Sequence, residues 1–247
     1  MASRTRAALV LALAAALITL GQTGASASAP DQPIPHPPVA SLPRLPAPYS
    51  EEQLNRDYLR QENAIAHWWD SHWTDYFTVP YRPPALVSDG TLLPGLYDGS
   101  KDTLSCNGFP LPPNNALYCG PPAVPSSNFL AFDKALLTAV HRFDRDFIAV
   151  VIAHEWGHVV QGQLPALERD IQYELQADCL AGAAVQGAAD DGLLRLSAAD
   201  LPGIDAGLAA FGDQLPWGMP GDHGTPKQRV DHFTLGLEHG VLSCMPL

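Results

Sequence analysis

The chain has 247 residues and carries 26 acidic side chains against 14 basic ones, a net charge of −12 at pH 7. That balance argues against nucleic acid and against anionic membrane surfaces as partners, because both repel an acidic protein. It fits basic substrates, although solubility alone explains it as well.

The N-terminus has the layout of a secretory signal peptide. Arg4 and Arg6 form a short basic region, Ala7 to Leu20 is apolar, and small residues run from Gly24 to Ala29. Ala25-x-Ala27 and Ala27-x-Ala29 both fit cleavage. Cutting after Ala27 keeps Pro30 away from the scissile bond, so residues 1–27 are expected to be removed. An apolar run of about 14 residues is shorter than the roughly 20 that span a bilayer. Secretion without stable membrane insertion is therefore expected, the alternative being an N-terminal anchor with the domain facing outside. Residues 28–49 are rich in proline and are expected to form an extended, disordered linker. About 200 residues remain, enough for one domain with a sizeable core. With Arg4 and Arg6 gone, 12 basic residues face 26 acidic ones, a net charge near −14.

Ser50-Glu51-Glu52-Gln53 predicts a helix start, with Ser50 as N-cap and Gln53 closing a capping box. The helix is expected to run to about Trp73. Trp68, Trp69, Trp73, Tyr76 and Phe77 are dense enough to suggest a binding surface, but anchorage of this helix on the domain is the simpler expectation. Val79 to Pro125 is rich in Pro, Gly, Asn and Asp and predicts loops and short strands. Ala116-Leu117-Tyr118 and Asn128 to Phe132 are the best strand candidates. Asp144 to Gly162 predicts a helix with a continuous apolar stretch, Phe147 to Ala153, broken by Gly162 and Pro165. A second helix is expected over Glu168–Gly187 and a third from Ser197-Ala198-Ala199-Asp200 to about Gly212. Thr225-Pro226 makes a good N-cap and N1 pair for a last helix, which Gly240 ends. The class is α+β, mainly helical.

Four cysteines in an exported chain suggest two disulfides. Three pairings are possible. Cys106–Cys119 closes a short loop and is the natural local pair, which leaves Cys179–Cys244. The alternative, that some of them bind metal, is disfavoured because no CxxC spacing occurs.

The chemistry sits in His154-Glu155-Trp156-Gly157-His158. His154 and His158 are i and i+4 on a helix, so both imidazoles leave one face and can hold one Zn²⁺. Glu155 lies beside such a metal, where it can take a proton from an activated water and pass it to a leaving amine. A catalytic zinc needs a third protein ligand and an open position. Glu174 on the next helix supplies the ligand; Asp178, four residues on, faces the same way. Asp178 is the expected acceptor for the second ring nitrogen of His154, with a role as ligand in place of Glu174 as the alternative. Far downstream, Asp222-His223-Gly224-Thr225-Pro226 opens the last helix. His223 could reach into the cleft and stabilise an oxyanion. Arg229 could orient Asp178, Glu174 or the substrate. The alternative for both is surface turn chemistry.

Together these segments resemble the bacterial neutral zinc metallopeptidases, a gluzincin-like family. The matching segments are Ala153 to His158 with Gln161, Glu174 to Gly182, Ala210 to Asp213, and His223 to Arg229 running on to Gly240. Tyr118-Cys119-Gly120 and the Phe129–Asp133 strand resemble the stretch before the zinc helix. The resemblance covers about Cys106 to Gly240. It implies a zincin-like fold in which a small sheet, with an edge strand near the cleft, packs on the HExxH helix and on a second ligand-bearing helix. It implies one Zn²⁺ per chain on His154, His158 and Glu174, with Glu155 as base, and it strengthens the active-site roles of His223 and Arg229. The substrate-edge role falls to Phe129–Phe132. Residues 101–247 would then be the catalytic domain and 50–100 an N-terminal Trp-rich helix with connecting loops. The activity implied is hydrolysis of peptide bonds in a peptide or protein substrate. A zinc-holding scaffold and a zinc hydrolase of a non-peptide amide, such as one in the cell wall, are the competing readings. Glu155 argues against the scaffold, since a structural site has no use for a base there.

Overall fold

A computed structural model describes residues 50–141, 144–164, 171–212 and 223–245. The expected signal peptide and linker, Pro165, the residues from Glu168 to Asp170, Asp213 and Asp222 lie outside the described residues.

The elements run α1 (Glu51–Tyr76), β1 (Ala85–Leu86), β2 (Leu96–Tyr97), β3 (Ser105–Cys106), β4 (Phe109–Pro110), β5 (Ala116–Cys119), β6 (Phe129–Asp133), α2 (Lys134–His141), α3 (Phe147–Gln163), α4 (Ile171–Asp190), α5 (Leu201–Ala210) and α6 (Pro226–His239). A short 3-10 turn, Val241–Cys244, follows. The class is mixed and mainly helical, as the pattern predicts.

Helix α1 begins at the predicted capping box: Ser50 Oγ accepts from the Gln53 N–H, and the Gln53 side chain accepts from the Ser50 N–H. Its tryptophans are anchors. Trp68, Trp69 and Trp73 are buried in the main core with α3 and α4 residues, and the Trp73 indole N–H donates to the Val79 carbonyl at 2.7 Å. Each buries a large apolar area, so this one helix supplies much of the core.

Strand β6 is the centre of a four-stranded sheet. β1 and β2 pair with it in parallel, in the registers Ala85↔Phe129 and Leu96↔Phe132. On its other side β5 pairs antiparallel, Ala116↔Phe132 to Cys119↔Phe129. This corrects the expectation that Phe129–Phe132 forms the substrate edge. Leu130, Ala131 and Phe132 are fully buried, and a short continuous apolar run is the signature of a strand covered on both faces. β5, half-buried along most of its length, takes the edge instead. A two-stranded hairpin, β3–β4, lies apart, and the Cys106–Cys119 bridge ties it to β5.

Helix α2 was not foreseen. Asp133 starts it, accepting from the Ala135 N–H at 3.0 Å, and also accepts from the backbone N–H groups of Asn114 and Gly99. Helix α3 is apolar nearly all round and therefore central, packed on α1, α2, α4 and α5. α4 packs most extensively on α6, and the Cys179–Cys244 bridge joins α4 to the turn after α6. Both predicted disulfides form, which fits an oxidising compartment. Among the described residues, no helix is long and apolar enough to cross a membrane.

Candidate metal centre

Helices α3 and α4 converge because two small residues meet. A Cβ on Gly157 would lie 2.9 Å from the Ala177 Cα and its carbonyl oxygen, so only glycine lets the backbones approach this closely. That contact lies between His154 and His158 on one helix and between Glu174 and Asp178 on the other. All four side chains are thereby brought together.

The Glu174 carboxylate is the hub. Its Oε2 is 3.3 Å from His154 Nε2 and 3.7 Å from His223 Nε2; its Oε1 is 3.6 Å from His158 Nε2. The ligand atoms of His154, Glu174 and His223 all lie within 4.8 Å of one another, so this group could hold a metal ion. His158 faces the other carboxylate oxygen. Its ring stands nearly perpendicular to that of His154, with centroids 4.8 Å apart, and stacks on Tyr173 at 5.1 Å.

Behind His154 stands Asp178, fully buried, with its Oδ1 2.8 Å from His154 Nδ1. Arg229 clamps the same carboxylate: Nε donates to Oδ2 at 2.8 Å and Nη2 to Oδ1 at 2.7 Å, while Nη1 reaches the Phe211 carbonyl at 3.2 Å. Of the roles open to Arg229, the one realised is orienting Asp178; at 6% exposure it is no surface residue. It sits one turn into α6, whose start is fixed by a second capping box between Thr225 and Gln228. The same start places His223, two residues before the cap.

Electrostatics follow from this geometry. Burial resists charge on Asp178, but Arg229 and then His154 outweigh it and hold the carboxyl at about 2. Burial also opposes charge on His154, yet Asp178 and Glu174 raise it to about 10. Burial would raise Glu174, but the facing imidazoles of His158, His223 and His154 hold it well below the ordinary range. Glu155, 7% exposed, is raised by burial against the opposing pull of His158 and His154. The backbone N–H of Tyr118 on edge strand β5 adds a smaller lowering.

These residues fit a divalent cation such as zinc. Nitrogen and carboxylate oxygen are its usual protein donors. Among the described residues, Glu174 Oε2 is buried and makes no hydrogen bond, although two imidazole nitrogens face it. A buried carboxylate oxygen left so is costly unless a cation takes the position.

A cleft of about 490 Å³ opens beside the group. His154, Glu155, His223 and Arg229 line one side; Leu136, Val150, Phe211 and the start of β5 at Asn115 and Ala116 line the rest. Compared with known proteins, the chain matches no family model, no curated protein and no solved structure.

The structure thus brings together every residue singled out in the sequence: His154, Glu155, His158, Glu174, Asp178, His223 and Arg229. The new element is that His223 approaches Glu174 as a third imidazole, where an oxyanion role was expected. No local spacing carries that signal, since His223 is 49 residues from Glu174 in the chain. Gln161, matched in the sequence without a role, places Oε1 2.7 Å from His158 Nδ1; its i+3 position on α3 was the available clue to that role.

Proposed function

We propose that this chain is an exported zinc metallopeptidase with a zincin-like fold. The observation that carries the reading is the position of Glu155, buried at the cleft wall beside three imidazoles that converge on one carboxylate. His154, His158 and Glu174 would hold the zinc, with His223 close enough to join them or to meet the developing oxyanion. Bound zinc would polarise the scissile carbonyl and make water more acidic.

The chain's own residues do the rest. Asp178 accepts the Nδ1–H of His154 and so turns its Nε2 towards Glu174. Arg229 holds Asp178 in that pose. Burial raises the Glu155 carboxyl above its ordinary range, which suits it to taking a proton from water and returning it to the leaving amine. β5 has one paired side and one edge, which suits it to receive an extended peptide chain beside Glu155.

The test is digestion of an unbiased peptide library by the purified protein. Cleavage should vanish with a chelator and return on adding zinc. A protein that holds zinc and cleaves nothing in the library contradicts the reading.

A further inference from the structure

Behind His158 runs a line of side-chain amides. Gln161, one turn further along α3 and 3% exposed, places Oε1 2.7 Å from His158 Nδ1. Its Nε2 donates to the Tyr173 carbonyl at 2.6 Å and to Gln176 Oε1 at 2.9 Å. Gln176 in turn donates its Nε2 to the Cys244 carbonyl at 2.9 Å. Cys244 is bonded to Cys179, three residues beyond Gln176 on α4.

The direction of every bond in this line is forced. A peptide carbonyl can only accept. The Tyr173 carbonyl therefore requires the amide nitrogen of Gln161, which leaves the amide oxygen facing His158. That oxygen cannot donate, so His158 Nδ1 must carry the proton. The Cys244 carbonyl orders Gln176 in the same way and turns its oxygen to Gln161. The line ends on an imidazole whose Nε2 is aimed at Glu174 Oε1, 3.6 Å away.

A neutral holder has a purpose here. His154 is held by a carboxylate, and Glu155, Glu174 and Asp178 already place three acids around the centre. A fourth would have to be buried with no further cation to offset it. An amide sets the tautomer without adding charge.

We propose that Gln161 and Gln176 are positioning residues which hold His158 in the Nδ1–H form, with Nε2 ready for a metal, and that the Cys179–Cys244 bridge fixes the far end of their line. The metal consequence rests on the reading of His158 as a ligand; the tautomer consequence does not.

Two readouts separate these. In ¹⁵N-labelled metal-free protein at pH 8, imidazole ¹⁵N–¹H correlation should show His158 protonated on Nδ1 alone. In Gln161→Leu it should become a mixture of tautomers. The zinc Kd of that variant, from competition with a chromogenic chelator, should rise by about 10- to 100-fold, the usual effect of losing the partner of a ligating histidine. Gln161→Glu keeps an acceptor for Nδ1–H, so its tautomer and Kd should stay near wild type even if the metal-free fold is weakened at the Tyr173 and Gln176 contacts. Gln176→Leu should fall between. Retention of the pure Nδ1–H form in Gln161→Leu overturns the proposal, as does an equal loss of zinc affinity in the Leu and Glu variants, which would make the role merely structural. A wild-type protein that binds no zinc sinks the ligand reading, and the tautomer measurement still decides the amide line.

Discussion

Replacing Arg229 with methionine keeps an unbranched stem of similar reach and removes the N–H groups that bind Asp178 and the Phe211 carbonyl. Asp178, with no exposed surface, is left with the His154 Nδ1–H. Removing one partner of a buried ion pair costs about 3–5 kcal/mol, because the other charge stays desolvated. A second route gives the same order. Burial raises the Asp178 carboxyl, but Arg229 and His154 bring it to about 2 from an ordinary 3.8, a gap worth about 2.5 kcal/mol at 1.36 kcal/mol per unit. The variant loses that contribution and also meets the burial penalty. A carboxyl held below its ordinary value stabilises the wild type above pH 4 and loses this effect as pH falls towards 2. In the variant burial wins and the carboxyl rises, so its deficit is full near pH 8 and shrinks towards pH 4. At about 2–4 °C per kcal/mol for a domain of this size, the melting temperature should fall by about 10 °C at pH 8. Thermal unfolding followed by circular dichroism, with chelator present, reads this directly. A loss under about 1 kcal/mol, or an equal loss at pH 8 and pH 4.5, would refute the buried clamp.

Other perturbations test the frame around the site. Glu62 on α1 is 4% exposed, and burial raises its carboxyl to about 7. A raised carboxyl favours the fold in acid and loses that advantage as pH climbs from about 4.5 to 7, so Glu62→Gln should add about 3 kcal/mol at pH 8 and nothing at pH 4; no gain at pH 8 in denaturant titration contradicts this. Gly236 faces α4, and a Cβ there would lie 1.8 Å from the Cys179 carbonyl oxygen. The roughly 1 kcal/mol that alanine gives a helix cannot offset that clash, so Gly236→Ala should lose about 2 kcal/mol net; a stabilised variant would show that α4 and α6 are not packed this tightly. The Cys179–Cys244 bridge spans 65 residues and the Cys106–Cys119 bridge 13. Loop entropy then predicts losses of about 4 and about 3 kcal/mol when each pair is changed to serine, and a reversed order in urea unfolding counts against the loop-entropy account.

Local features were legible before the fold was known. The Ser50–Gln53 capping box, the Thr225 N-cap, the i,i+4 histidines and the Glu174/Asp178 step lie within one or two turns of helix, where spacing and geometry are nearly the same statement. The disulfides followed from one short loop and elimination. Sheet order was not legible. Nothing in Phe129–Phe132 except its unbroken apolarity separates a central strand from an edge, and β5, which takes the edge, has a similar composition. The approach of His223 to Glu174 and the Gln176–Cys244 contact were hidden because each depends on α6 and its flanks folding back on α4, a contact set by Gly182 and Gly236 and by a disulfide far along the chain. Helix α2 was missed because its capping residue, Asp133, is also the last residue of β6.

The central claim is that Glu155 moves the proton at a zinc centre built on His154, His158 and Glu174. The most direct measurement compares wild type with Glu155→Gln for zinc content and for cleavage of the same peptide library. The account predicts about one zinc per chain in both, since Glu155 stands beside the ligands, with cleavage reduced at least 100-fold in the variant, the lower range for a lost general base. Undiminished cleavage by Glu155→Gln, with zinc still bound, would contradict it.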